Sequence, residues 1–96
     1  MTNIWTTCAR PFPDVLYQEL NGESVLLNLA TESYFGLDAV GTRIWQLLVK
    51  DNHVAATIEP LLREFDVDEP RLRADVAKLI TELESAKLIS LEPFDA

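Results

Sequence analysis

Residues 24–48 read SVLLNLATESYFGLDAVGTRIWQLL, and this stretch decides the fold. An apolar strand at Val25–Leu29 gives way to a tight polar break at Ala30-Thr31. A second strand, Ser33–Leu37, runs straight into an amphipathic helix. Asp38 stands at the junction, where a carboxylate accepts from backbone N–H groups that lack an intrahelical partner and suits the positive end of the helix dipole. Val40, Ile44, Leu47 and Leu48 then recur at helical spacing and form one inward stripe. A ribbon feeding a helix leaves one sheet face and one sheet edge that need cover.

Working back towards the N-terminus, Asp14–Leu20 alternates loosely and is rich in strand formers. Asn21-Gly22 follows it, a dipeptide that readily takes the positive φ angles of a type I′ hairpin turn. The turn joins a first strand, 14–20, to a second, Glu23–Leu29. In the second strand Val25, Leu27 and Leu29 share one face, which is assigned to the core, with Leu26 and Asn28 on the other. A third strand, Glu32–Leu37, pairs back on the second. Its Tyr34 and Phe35 lie on opposite faces, so one enters the core while the other sits near the surface. Residues 1–13 hold two prolines and no periodicity and read as an irregular arm, with Trp5 folding back on the domain.

Beyond the first helix (38–49), Lys50-Asp51-Asn52-His53 is a polar break. Ile58, Leu61, Leu62 and Phe65 mark a second helix, in which Thr57 as cap places Pro60 in the first turn, where a missing N–H costs nothing. Asp68 caps a third helix with Pro70 in its first turn and Leu72, Val76, Leu79, Ile80 and Leu83 as its stripe. Leu88 and Ile89 close the bottom of the core, and 92–96 form a tail. The expectation is one domain over 14–91 of segregated α+β type, three strands followed by three helices.

Composition narrows the function. Ninety-six residues, 48% apolar and a quarter charged, suit a single globular domain. No run approaches the roughly 20 apolar residues of a membrane helix, and the first residues lack the pattern of a secretory signal, which points to a cytoplasmic protein. The net charge of −8 divides into −2 over residues 1–50 and −6 over 51–96, a surface that repels phosphate backbones. Chemistry is absent from the pattern. One histidine, His53, and one remote cysteine, Cys8, cannot build a zinc site. Nor is there a placeable Ser-His-Asp set or a glycine-rich phosphate loop, because Gly22, Gly36 and Gly41 are scattered. The expectation is no catalytic residue, no metal and no cofactor. Cys8 reads as an incidental thiol and His53 as a solvated residue or a cap. Gly41, inside the first helix at a cost of about 1 kcal/mol relative to Ala, hints at close packing there.

The runs VLLNLATESYFGLDAVGTRIWQLL, VAATIEPLLREFDVD and DVAKLITELESAKLI together resemble the PqqD-like family, over nearly all of 14–89. The resemblance implies a winged-helix-like domain that recognises the leader segment of ribosomally made, post-translationally modified peptides, in lasso-peptide or quinone-cofactor pathways. It implies that the leader adds as a strand beside the third strand, in the groove between that strand and the third helix. The chain has no room for a fused enzyme, so it resembles a stand-alone recognition element, a monomer or weak dimer, that presents the leader to a modifying enzyme or leader protease. Pro60 departs from the family's usual second helix. An unpaired sheet edge suits such a role by itself, since it offers main-chain hydrogen bonds to an extended peptide. The expected peptide-binding residues are Glu32, Ser33, Tyr34, Phe35 and Gly36 on the strand, with Arg71, Leu72, Asp75, Val76 and Leu79 on the helix.

Two other readings compete. A small winged-helix transcription regulator shares the element content, and an enzyme subunit completed by a partner leaves no motif to find. Charge separates the first of these. In the third helix Arg71, Arg73 and Lys78 are offset by Glu69, Asp75, Glu82 and Glu84. We therefore expect no measurable binding to a DNA duplex at about 150 mM salt. A dissociation constant in the micromolar range or tighter, read by fluorescence anisotropy, would restore the regulator.

Overall fold

The computed structural model describes residues 3–93. Its centre is a three-stranded antiparallel sheet of β2 (Val15–Leu20), β3 (Glu23–Asn28) and β4 (Ser33–Leu37), in that spatial order. Asn21 (φ 57°) and Gly22 (φ 83°) both take left-handed backbone, as the type I′ turn between β2 and β3 requires. That turn sets the register from Leu20 opposite Glu23 to Val15 opposite Asn28. β4 pairs back from Ser33 opposite Asn28 to Leu37 opposite Ser24.

The inward face of β3 is the reverse of the one expected. Ser24, Leu26 and Asn28 are buried, whereas Val25 and Leu29 are 46% and 52% exposed and Leu27 is half-buried. Alternation shows that a strand has two faces without showing which is inside, and the two polar inward residues conceal the answer. Both are satisfied. The Ser24 and Thr42 hydroxyls share a buried hydrogen bond of 2.7 Å between β3 and the first helix. Asn28 Nδ2 donates to the Lys87 carbonyl at 2.6 Å, and its Oδ1 accepts from the N–H groups of Ala30 and Thr31. On β4 the aromatics divide as expected, Phe35 packing on the core and Tyr34 standing 79% exposed.

Helix α1 (Ala39–Asp51) is capped by Asp38, whose Oδ1 accepts from Gly41 N–H at 2.8 Å. Ile44, Trp45, Leu47 and Leu48 are buried along it. The polar break after it shapes the fold. Asn52, at φ 72°, ends the helix, and its Nδ2 donates to the carbonyls of Leu48 and Ala9. A 3₁₀ turn, Val54–Thr57, leads into α2 (Ile58–Glu64), with Pro60 in its first turn. The Arg43 guanidinium grips the Glu64 carboxylate with two hydrogen bonds, joining α1 to α2 and holding that carboxyl below its usual pKa. Helix α3 (Glu69–Ser85) is capped by Asp68 and buries Leu72, Val76, Ile80 and Leu83. It ends in a Schellman motif, with Lys87 at φ 61°, Lys87 N–H bonded to the Glu84 carbonyl and Leu88 N–H to that of Leu83.

The N-terminal segment is not an irregular arm. After a 3₁₀ turn at Ile4–Thr6, Thr7–Pro11 forms β1, which pairs antiparallel with β5 (Ile89–Pro93) in a second, two-stranded sheet. Two prolines hide the strand locally, and its partner lies at the other end of the chain, so no short-range signal exists for either. Cys8 and Ala9 are buried here, Leu88 and Ile89 close the core as expected, and the expected tail supplies Glu92 and Pro93 to β5. The rest of that tail, 94–96, lies outside the described residues, as do Met1 and Thr2. Trp5 does fold back: it packs on the core with the Arg73 guanidinium 5.0 Å from its ring centroid. His53 caps no helix through its side chain and instead bonds Asp51 through Nδ1 at 2.8 Å.

Among the described residues, no helix is long and apolar enough to cross a membrane, and no cluster of His, Cys, Asp and Glu could hold a metal ion. The face assignment of β3 is open to a direct check. Leu26→Ala should cost about 2–5 kcal/mol, enough to lower the thermal midpoint by roughly 10 °C or more. Val25→Ala should stay within about 1 kcal/mol of wild type. Equal losses in thermal denaturation would return Val25 to the core.

Candidate functional site

The sheet has β4 at one edge, and the register tells which of its main-chain groups are unpaired. Leu29 N–H donates to the Asp14 carbonyl at 3.0 Å, on the β2 side. Odd-numbered residues of β3 therefore bond towards β2 and even-numbered ones towards β4, because bonding direction alternates along an antiparallel strand. Leu37, Phe35 and Ser33, which face Ser24, Leu26 and Asn28, spend their groups on β3. The N–H and C=O of Tyr34 and Gly36 consequently point away from the sheet, towards α3.

Between that edge and α3 runs an open groove of about 560 Å³. Its sheet wall is Phe35, Gly36 and Leu37, and its floor is Val40, Gly41 and Ile44 of α1. The α3 wall is Asp75, Lys78, Leu79 and Glu82, one stripe at spacings of three and four residues. Gly41 keeps the floor low: a Cβ there would stand 3.2 Å from both Asp38 Oδ1 and a Leu37 methyl carbon. The close packing hinted at by a helical glycine is thus a contact with the cap and the end of β4.

The expected site residues divide sharply. Phe35, Gly36, Asp75 and Leu79 line the groove together. Glu32, Ser33 and Tyr34 are exposed at the start of the same edge, and Arg71 is exposed one turn before Asp75. Leu72 and Val76 are fully buried and belong to the core beneath α3. The sequence reading missed Val40, Ile44, Lys78 and Glu82. The helical period from Asp75 and Leu79 reaches Lys78 and Glu82, and Val40 and Ile44 form an i, i+4 pair, but nothing local says that two helices share one groove.

The carboxylates of the groove also differ in kind. Asp38 is committed to the Gly41 N–H. Asp75, Lys78 and Glu82 make no side-chain hydrogen bond or ion pair among the described residues, and they edge an apolar floor. The groove therefore has main-chain donors and acceptors on one side and a mixed apolar and charged wall on the other.

The profile of the family described as coenzyme PQQ synthesis protein D (PqqD) matches residues 23–89. A solved structure of TbiB1 in complex with the TbiA(beta) leader peptide is 33% identical and superposes with a TM-score of 0.79, over 84% of this chain and 94% of that one. A second, lasso peptide synthetase B1 complexed with the leader peptide, is 23% identical with a TM-score of 0.76, over 85% and 96% of the two chains, and is similar in fold. No curated protein matches the sequence.

The two kinds of carboxylate predict opposite stability effects. Asp38→Ala removes a helix cap and should cost about 1 kcal/mol, or some 4–8 °C in thermal midpoint. Asp75→Ala should leave the midpoint unchanged within a degree or two. A drop at Asp75 matching that at Asp38 would mean that Asp75 serves the fold.

Proposed function

The chain belongs to the PqqD family, and from that premise we propose that it is a non-catalytic recognition element for the leader of a ribosomally made, modified peptide of the lasso type. The leader adds as a fourth strand to the free edge of β4 and lies in the groove against α3. Tyr34 and Gly36 bond it through their main chains. Apolar leader side chains rest on Phe35, Val40, Ile44 and Leu79, while Asp75, helped by Arg71 at the groove's end, sets the register through polar contacts. The bound leader is thereby presented to a modifying enzyme or leader protease of the same pathway.

One observation carries this reading: the unpaired main-chain groups of β4 face a groove whose far wall carries uncommitted charges beside apolar residues. The same feature makes chemistry unnecessary. An added strand needs fixed donors and acceptors, and a shaped wall selects its side chains without a reactive group.

Main-chain pairing predicts an unusual mutational pattern. Tyr34→Pro removes an outward N–H at an edge position, where proline is tolerated, and should abolish binding of a synthetic leader peptide, with the TbiA(beta) leader as the probe. Tyr34→Ala keeps the N–H and should bind within a few-fold of wild type. Asp75→Ala should weaken binding by about tenfold, the scale of one charge-assisted hydrogen bond. The check is a fluorescence anisotropy titration with the labelled synthetic leader, folding being followed by circular dichroism. Full binding by a folded Tyr34→Pro variant would mean that the leader docks elsewhere.

A further inference from the structure

The sheet has a second free edge, at β2. Leu16, Gln18 and Leu20 face Leu27, Val25 and Glu23 and spend their main-chain groups on β3. The alternation that frees Tyr34 and Gly36 on β4 therefore also frees Tyr17 and Glu19 on β2. Val15 N–H is taken by the Phe12 carbonyl at 3.2 Å, but among the described residues nothing bonds the N–H and C=O of Tyr17 or Glu19.

Natural proteins blunt such an edge with lysine, proline, a bulge or a covering element. β2 contains no lysine or proline, its register runs unbroken from Val15 to Leu20, and five of its six residues are exposed. Leu16 and Leu20, 52% and 75% exposed, stand on the face turned away from the helices. Tyr17 and Glu19 face α1, where Gln46 meets both.

Charge indicates what this edge accepts. Between Arg10 and Arg43 the chain holds five acidic residues and no Lys, Arg or His. Three of the five, Asp14, Glu19 and Glu23, lie on β2 or beside its ends. The Glu19 carboxylate is held by neutral donors alone, the Tyr17 hydroxyl at 2.8 Å and the Gln46 amide at 2.9 Å. Arg43, one turn before Gln46 on α1, is spent on Glu64 and Gln46.

We propose that β2 is a docking edge for a strand of a partner protein, one that alternates apolar residues with Lys or Arg. Side chains of an added strand alternate. Its apolar residues cover Leu16 and Leu20 on the outer face, and its cations reach Glu19 on the helix side. β2 and β4 are opposite edges of one three-stranded sheet, about 10 Å apart at a strand spacing of about 4.8 Å, so both can be filled at once. With the leader on β4, as proposed above, the partner is brought beside it, yet the β2 edge is testable without that reading.

The probe is a capped peptide of about ten residues alternating Lys and Val, with a Glu/Val counterpart as control. In hydrogen exchange followed by NMR, the Lys/Val peptide should slow exchange of the Tyr17 and Glu19 amides at least tenfold and leave those of Tyr34 and Gly36 unchanged. Read by fluorescence anisotropy, Glu19→Lys should weaken its binding about tenfold, and the Glu/Val peptide should bind wild type at least tenfold more weakly than the Lys/Val peptide. The exchange readout needs no variant, so it stands if Glu19→Lys fails to fold. The TbiA(beta) leader should protect Tyr34 and Gly36 instead, with or without the probe. Protection of Tyr34 and Gly36 by the Lys/Val peptide would put it in the leader groove and overturn the proposal. Binding without protection of Tyr17 and Glu19 would overturn it too, as would no binding at millimolar concentration. A leader that protects neither Tyr34 nor Gly36, while the probe protects Tyr17 and Glu19, would remove the leader reading alone.

Discussion

The buried side chain of Asn28 ties together the parts that make the groove. It stands at the end of the central strand, where its amide nitrogen donates to the Lys87 carbonyl just beyond α3, and its oxygen accepts from the turn that leads into β4. One side chain thus fixes both walls, the edge strand through its turn and the helix through its C-terminal motif. Nearly all of Asn28 is out of water, and losing it would remove the side-chain partner of the Lys87 carbonyl and of two N–H groups in the turn, at about 0.5–1.5 kcal/mol for each hydrogen bond lost. Lys87 depends on the same bond. A non-glycine residue at φ 61° is held there by the Schellman hydrogen bonds and by the amide that reads its carbonyl.

Ser24 does the corresponding work at the other end of β3. Its hydroxyl meets that of Thr42 inside the protein and sets α1 against the sheet, with Leu26 packed between the two polar contacts. Directional bonds at both ends and an apolar contact in the middle define the angle between sheet and helix more narrowly than burial alone, which is non-directional. The groove floor, Val40 and Ile44, inherits that angle. The strand addition proposed for this groove requires it, because an added strand tolerates little error in the distance from edge to opposite wall.

The second small sheet completes the frame from outside. β1 and β5 bring the two ends of the described chain together beneath the helices, and Asn52 connects them to the end of α1 through the Ala9 carbonyl. Regular structure on that side leaves β4 as the edge that faces a groove. The surface charge follows the same division. The acidic excess falls mostly on the second half of the chain, and α3 contributes Asp75 and Glu82 to the groove wall with Lys78 between them.

Local sequence determined most of the elements. The Asn21-Gly22 turn, the caps at Asp38 and Asp68, the placement of Pro60 and the helical stripes are written within a few residues, because turn geometry and capping act over that range. They were enough for a three-stranded sheet followed by three helices, whereas the placing of Phe35, Gly36, Asp75 and Leu79 beside one groove came with the resemblance to the PqqD-like family and not from local pattern. Three matters were left to tertiary structure. The inward face of β3 depended on partners for Ser24 and Asn28 that stand 18 and 59 residues away, so its apolar alternation pointed to the wrong side. β1 depended on a strand at the opposite end of the chain. Leu72 and Val76 share a helix with Asp75 and Leu79, yet only packing decided that the first pair is core and the second is wall, since a helical stripe gives the direction of a side chain and not what lies opposite it.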